Sequence, residues 1–103
     1  MNDKADIEVL FFFNGRRETD ARSGYRPAHR IKDNYFTTGI HFYYTGMVKK
    51  NGIGRGTITF LSPNIYPHCL WIGKRIPFFE GERLMGTAIV TRIFNKTLEK
   101  SFE

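Results

Sequence analysis

The sequence predicts an all-β domain, a small barrel or a sandwich, and three observations carry that expectation. Short apolar runs follow a two-residue period, which puts alternate side chains on opposite faces of a strand. The runs are rich in Ile, Val, Thr, Tyr and Phe, residues that fit a pleated, half-buried surface. No long stretch keeps the 3.6-residue apolar period of an amphipathic helix, and turn-forming residues separate the runs at fairly regular intervals.

Residues 7–13 give the first strand. Ile7, Val9, Phe11 and Phe13 alternate with Glu8, Leu10, Phe12 and Asn14, and Asn14-Gly15 breaks the run as a turn. Residues 16–24 are polar and basic and read as a surface loop. Residues 25–31 read as a short strand opened by Pro27, a residue tolerated at a strand start or edge. Residues 35–48 are rich in Tyr, Phe and Thr, with Gly39 and Gly46 as bulges or bends, and residues 49–56 read as a turn.

Thr57, Thr59 and Leu61 then alternate with Ile58 and Phe60. Residues 62–67 hold two prolines and read as a loop, and residues 69–72 as a short strand. Residues 73–77 carry a basic pair before another break. Phe78 and Phe79 precede the polar turn Glu80-Gly81-Glu82. Residues 84–94 give the last strand, in which Thr87, Ile89, Thr91 and Ile93 oppose Ala88, Val90, Arg92 and Phe94. Residues 96–103 read as a frayed polar tail.

The chain has 103 residues, which suits one domain spanning 1–103 with a core over about residues 6–95. Hydrophobic residues make up 41% and include ten Phe, enough apolar matter for a packed core and too much for a disordered chain. A single cysteine, Cys69, excludes an internal disulfide and fits a reducing compartment. The polar start MNDKAD and the five-residue apolar run 9–13 show neither a signal peptide nor a membrane span. The expected setting is cytoplasmic, with no membrane partner.

The net charge is +6, and six of the sixteen basic residues fall within residues 16–32: Arg16, Arg17, Arg22, Arg26, Arg30 and Lys32. A second cluster, Lys49, Lys50 and Arg55, flanks a glycine-rich turn. Such clusters favour a polyanion, and solubility is the alternative role for them.

Catalytic and cofactor chemistry finds little support. Gly52-Ile53-Gly54-Arg55-Gly56-Thr57 lacks the spacing and the following helix of a phosphate-binding loop, so a hairpin turn is expected and no nucleotide. His68 and Cys69 are neighbours and would point to opposite faces of a strand, so they form no thiolate–imidazolium pair. Cys69 is expected as a buried core thiol. His29, His41 and His68 lack metal-ligand spacing, and no paired carboxylates stand ready for acid–base work. The expectation is a non-enzymatic protein without metal or cofactor. Tyr35, Phe36, Phe42, Tyr43 and Tyr44 are assigned mainly to the barrel wall, with the outward members left for base stacking.

A series of elements resembles the third, C-terminal β-barrel domain of elongation factor Tu. The series runs Gly15-Arg16, Gly24-Tyr25-Arg26-Pro27, Phe36-Thr37-Thr38-Gly39, a glycine-containing turn, and residues 57–63 reading TITFLSP. It continues with Cys69-Leu70-Trp71-Ile72-Gly73 and closes on Glu80-Gly81-Glu82-Arg83-Leu84-Met85-Gly86-Thr87. The resemblance implies a closed, six-stranded antiparallel barrel over most of the chain. It also implies contact with the backbone of tRNA or another structured RNA stem, with Arg16 or Arg17, Thr37 or Thr38, and the Glu80-Gly81 turn at the family's contact positions; Arg16, Arg17, Arg22, Arg26, Arg30 and Lys32 of the basic cluster would supply phosphate contacts. Ala28 stands where the family carries an RNA-contacting glutamine, and the family's GTPase and second domains are not in this sequence. The alternative is a protein-interaction module that imitates the factor or docks onto a translation-factor protein, with Trp71, Phe78 and Phe79 as its apolar patch.

Overall fold

The computed structural model of the chain describes residues 5–14 and 18–100. Among them are eight strands: β1 (Ile7–Phe13), β2 (Ala21–Arg22), β3 (Ala28–Lys32), β4 (Tyr35–Tyr43), β5 (Met47–Val48), β6 (Ile53–Phe60), β7 (Arg75–Glu80) and β8 (Arg83–Ile93). Six of them close into a barrel in the order β1–β6–β4–β3–β7–β8, with β8 pairing back onto β1 and every pair antiparallel. Closure removes the exposed sheet edges that would otherwise invite aggregation. The short β2 and β5 form a separate ribbon.

The alternating pattern of β1 is realised residue by residue. Ile7, Val9 and Phe11 are fully buried, whereas Glu8, Leu10 and Phe12 face outward and are only half-covered. Phe11 meets Tyr43 edge-on at 5.0 Å between ring centroids, and Phe78 at 6.2 Å. Ile58, Phe60, Ile76, Ala88 and Val90 complete the interior.

Asp6 locks the closure. It is 5% exposed, and its carboxylate accepts from the backbone N–H of Phe60 at 2.7 Å and from Asn95 Nδ2 at 2.9 Å. Its own backbone N–H donates to the Ile58 carbonyl at 3.0 Å, and its carbonyl accepts from Phe94 at 2.9 Å. One residue just before β1 therefore ties together the ends of β6 and β8.

Several sequence expectations are corrected. Residues 69–72 are not a strand; the only pairing there is an isolated bridge between Leu70 and Glu99. Residues 73–77, read as a basic pair before a break, include the start of β7 at Arg75, and residues 53–56, read as part of a turn, begin β6. Gly39 is an in-register member of β4 opposite Phe60. A Cβ on it would come within 2.9 Å of the His29 ring, so its small size makes room for that histidine. The loop expected up to residue 24 includes β2.

The tail is not frayed over its described part. Residues 96–98 form a 3₁₀ turn capped by Asn95, whose side chain accepts from the Thr97 N–H at 3.1 Å. Leu98 is fully buried, and the segment is strapped to residues 68–70 by three backbone hydrogen bonds of 2.7–2.8 Å. His29 and His41, which the sequence shows apart, meet inside the barrel with their Nε2 atoms 2.8 Å from each other. Cys69 is buried as expected, and its thiol donates to the Tyr66 carbonyl at 3.0 Å.

Candidate nucleic-acid interface

The site grows from a gap in the barrel wall. Pairing of β3 with β7 covers only Ala28 opposite Phe79 and His29 opposite Phe78. Beyond that point comes Pro77, which has no N–H to offer a ladder, and the two strands part. The gap is filled by Lys74. Its ammonium donates to the Ile31 carbonyl at 2.6 Å and to the Cys69 carbonyl at 2.8 Å, joining β3 to the loop before β7. Gly73, at φ +94°, makes the turn that returns Lys74 toward Trp71. Lys74 Nζ then lies 4.6 Å from the Trp71 ring centroid, a cation–π distance.

Around this anchor is a cleft of about 590 Å³. One side is the end of β3 and its turn, with Arg30, Lys32 and Asp33; the opposite side is Lys74, Arg75 and Pro77. The rim is closed by Trp71, His68 and, from the tail, Lys100, whose Nζ lies 5.1 Å from the Trp71 ring. His68 has the left-handed backbone conformation, φ +61°, and its Nδ1 pairs with the Glu99 carbonyl at 3.0 Å, which fixes loop and tail together. Among the described residues, five lysines and arginines thus share the cleft with one carboxylate, Asp33. Among the described residues Arg30, Lys32 and Arg75 form no ion pair. A concave surface with one sign of charge focuses its field and raises the local concentration of anions.

Burial pulls the Lys74 ammonium below the usual lysine value; Cys69 opposes this and Lys32 adds to it. Burial also pushes the Cys69 thiol up, which favours the neutral, unreactive form.

The outer wall beside the cleft carries aromatics. Arg30 on β3 pairs with Phe36 on β4, and Ala28 lies between Thr38 on β4 and Phe79 on β7. Because Ala28 is small, Phe36 and Phe79 meet across it with ring centroids 5.5 Å apart. Phe36 is 46% exposed. A second hollow, about 490 Å³, continues from Arg30 and Arg75 over Pro77, Phe12, Thr87 and Ile89.

The residues expected to bind RNA divide between the two ends of the barrel. Arg30 and Lys32 reach the cleft, and Thr38 lies on the adjoining wall. Thr37 points the other way, and its hydroxyl accepts from Tyr66 Oη at 3.3 Å. Arg22, Arg26, Glu80 and Gly81 belong to the opposite end, where Tyr25 Oη donates to the Glu80 carboxylate at 2.6 Å. Arg16 and Arg17 lie outside the described residues. Of the alternative docking patch, Phe78 is fully buried against Phe11, Phe13 and His41 and presents nothing to a partner. Trp71 and Phe79 remain at the surface, near the very cations assigned to RNA.

Lys74, Arg75 and Lys100 were not among the expected residues. Their signal is faint, since the first two are a lone basic pair and the third stands in a polar tail. Among the described residues no three His, Cys, Asp or Glu side chains gather as metal ligands, and no helix is long and apolar enough to cross a membrane.

Fold and site together define a small, closed, antiparallel barrel with a cationic, tryptophan-walled cleft at one end. No protein-family model matches the chain, and no curated protein matches it in sequence.

Proposed function

We propose that this barrel is a non-enzymatic RNA-binding module and that the cleft at the end of β3 and β7 is its principal contact. The observation that supports the reading is the ratio of five cations to one carboxylate around a half-exposed tryptophan. Phosphate contacts need fixed cations and are tolerant of sequence. Lys74, held by two carbonyls, is such a cation. The ordered elements similar to the third domain of elongation factor Tu point the same way, toward tRNA or another structured RNA. Arg26 and the Glu80-Gly81 turn, at the far end, would make a second and separate contact.

The test is a titration of labelled tRNA at low and physiological salt, with a DNA duplex of equal length as control. Saturable binding that prefers tRNA and weakens with salt supports the reading. Equal or absent binding removes it and leaves the charge as a solubility feature.

The hollow over Phe12, Pro77 and Ile89 favours a second reading, in which a translation-factor protein docks an apolar surface there. Apolar docking falls little with salt, whereas RNA binding falls steeply.

A further inference from the structure

We infer that the cleft holds an unpaired nucleotide, its base stacked on Trp71 and its flanking phosphates on the surrounding cations. The inference rests on the RNA-binding reading and names which part of an RNA enters the site.

The shape of the cleft separates an unpaired nucleotide from a stem. A double helix presents phosphates and sugars on a convex outer surface and keeps the faces of its bases inside the stack. An aromatic platform gains from RNA only where a base is unstacked, in a loop, a bulge or an end. Trp71 is 40% exposed and forms a wall of a recess, and the recess of about 590 Å³ falls in the size range of small-ligand pockets. It is too confined for a helix and suits one or two nucleotides.

The charges are arranged to match. Lys74 is fixed at the ring by the Ile31 and Cys69 carbonyls, with two of its three donors used, so one remains for an incoming phosphate oxygen. Lys100 Nζ also lies over the same ring, 5.1 Å from its centroid, and this exposed side chain must swing off the ring to admit the base. Arg30 and Lys32 line one side and Arg75 the other. Phosphates leaving the stacked nucleotide in both directions therefore meet a cation.

Trp71 is the only tryptophan in the chain, so its fluorescence reports on this site alone. The experiment titrates the full-length protein with single-stranded hexaadenylate and with a blunt RNA duplex carrying the same number of phosphates, following Trp71 emission. Labelled tRNA and labelled hexaadenylate are titrated in parallel by anisotropy, which also reads the Trp71 variants. The expected result is saturable quenching by hexaadenylate at lower concentration than by the duplex. Trp71→Ala is expected to weaken hexaadenylate binding roughly tenfold, the loss of one stacked base, and Trp71→Phe to retain most of the affinity. Tight tRNA binding with no change in Trp71 emission, and with no effect of Trp71→Ala, overturns the inference and leaves the RNA reading intact. Failure of both tRNA and hexaadenylate to bind removes the RNA reading itself. The quenching measurement uses the unaltered protein, so it stands even if a Trp71 variant folds poorly.

Discussion

Inside the barrel, Nε2 of His29 lies 2.8 Å from Nε2 of His41, and Nδ1 of His41 lies 2.7 Å from the Tyr43 hydroxyl. Only one proton fits between the two facing nitrogens, so the pair is bonded while neutral and broken when both rings are protonated. Both side chains are fully buried. Among the described residues His29 Nδ1 makes no hydrogen bond of good geometry, and the nearby Thr37 and Pro27 backbone offsets only part of the cost of a charge there.

Acid should therefore unfold this protein early. Burial pushes His29 down to about 4, against a smaller opposing pull from the backbone of Thr37 and Pro27, and burial together with His29 pushes His41 well below the ordinary value. Above pH 6.5 both rings are neutral folded or unfolded, and no stability is lost. Below it the unfolded chain takes up protons that the folded chain refuses, so stability falls as pH drops from 6.5 toward 4. The His29 shift alone corresponds to about 3 kcal/mol across that window. Glu8, held low first by its Tyr44 hydrogen bond and supported by Thr91, adds a loss only below 4.5. Urea unfolding at pH 7.5 and 5 would read the histidine effect separately from it. Equal midpoints at the two pH values would contradict the buried neutral pair.

Asp6 makes a second prediction. Asp6→Ala strands the buried Phe60 N–H and the Asn95 side chain together, and hydrogen bonds to a charged acceptor are worth about 1.5–3 kcal/mol each. We expect a loss of about 3 kcal/mol on Asp6→Ala and a smaller one on Asp6→Asn, which keeps an acceptor for Phe60. Denaturant midpoints of the two variants decide it. Similar losses for both would mean that the carboxylate does not clamp the barrel as described.

The strands that were legible in the sequence are those whose own side chains carry the period. β1 shows its inward face from Ile7 to Phe13 without interruption. β8 departs from its own alternation. Glu8 pairs with Arg92 but Val9 with Val90, so Thr91 is an extra residue in the ladder. The bulge turns Ile93 inward with Ala88 and Val90, although strict alternation puts it on the other face with Thr87 and Ile89. β7 was lost for a different reason. Lys74-Arg75 and Pro77 have the composition of a break, yet Arg75, Ile76 and Pro77 pair with β8 on one side, and the missing Pro77 N–H falls where β3 has already parted. The same departure that hid the strand opens the cleft. Arg30 and Lys32 were legible as charge; that Lys100 joins them depends on the strap between residues 68–70 and the tail, which no local pattern encodes.

Gly56 was read as part of a turn, and its place in β6 gives a third prediction. A Cβ there would overlap the Phe42 carbonyl oxygen on β4. Backbone cannot move aside as a flexible side chain can, so Gly56→Ala should cost about 1–3 kcal/mol or prevent folding. Thermal unfolding of the variant tests this, and an unchanged melting temperature would show that β4 and β6 do not approach so closely.

The tail supplies a fourth. Leu98 is fully buried, and its carbonyl accepts from the Leu70 N–H at 2.8 Å. Leu98→Ala should cost about 2–5 kcal/mol, as for other buried leucines. If the tail were merely frayed, the change would be near zero. Hydrogen exchange at the Leu70 and Lys100 amides would show whether the strap opens in the variant before the barrel does.

The last prediction separates the two ends of the barrel. Arg30 borders the cleft, whereas Arg22 lies on the β2–β5 ribbon. Both are exposed arginines within the same basic stretch of sequence, so bulk charge predicts the same effect from removing either. Contact with phosphate does not. An arginine that neutralises one phosphate contributes about 0.7–0.9 to the slope of log affinity against log salt. Arg30→Ala should lower the slope for RNA by about that amount, and Arg22→Ala should leave it nearly unchanged. Measuring the affinity of each variant at four or more salt concentrations, after confirming that both are folded, gives the two slopes directly. Equal reductions would mean that RNA reads the net charge of the whole surface and that the cleft has no special place in binding.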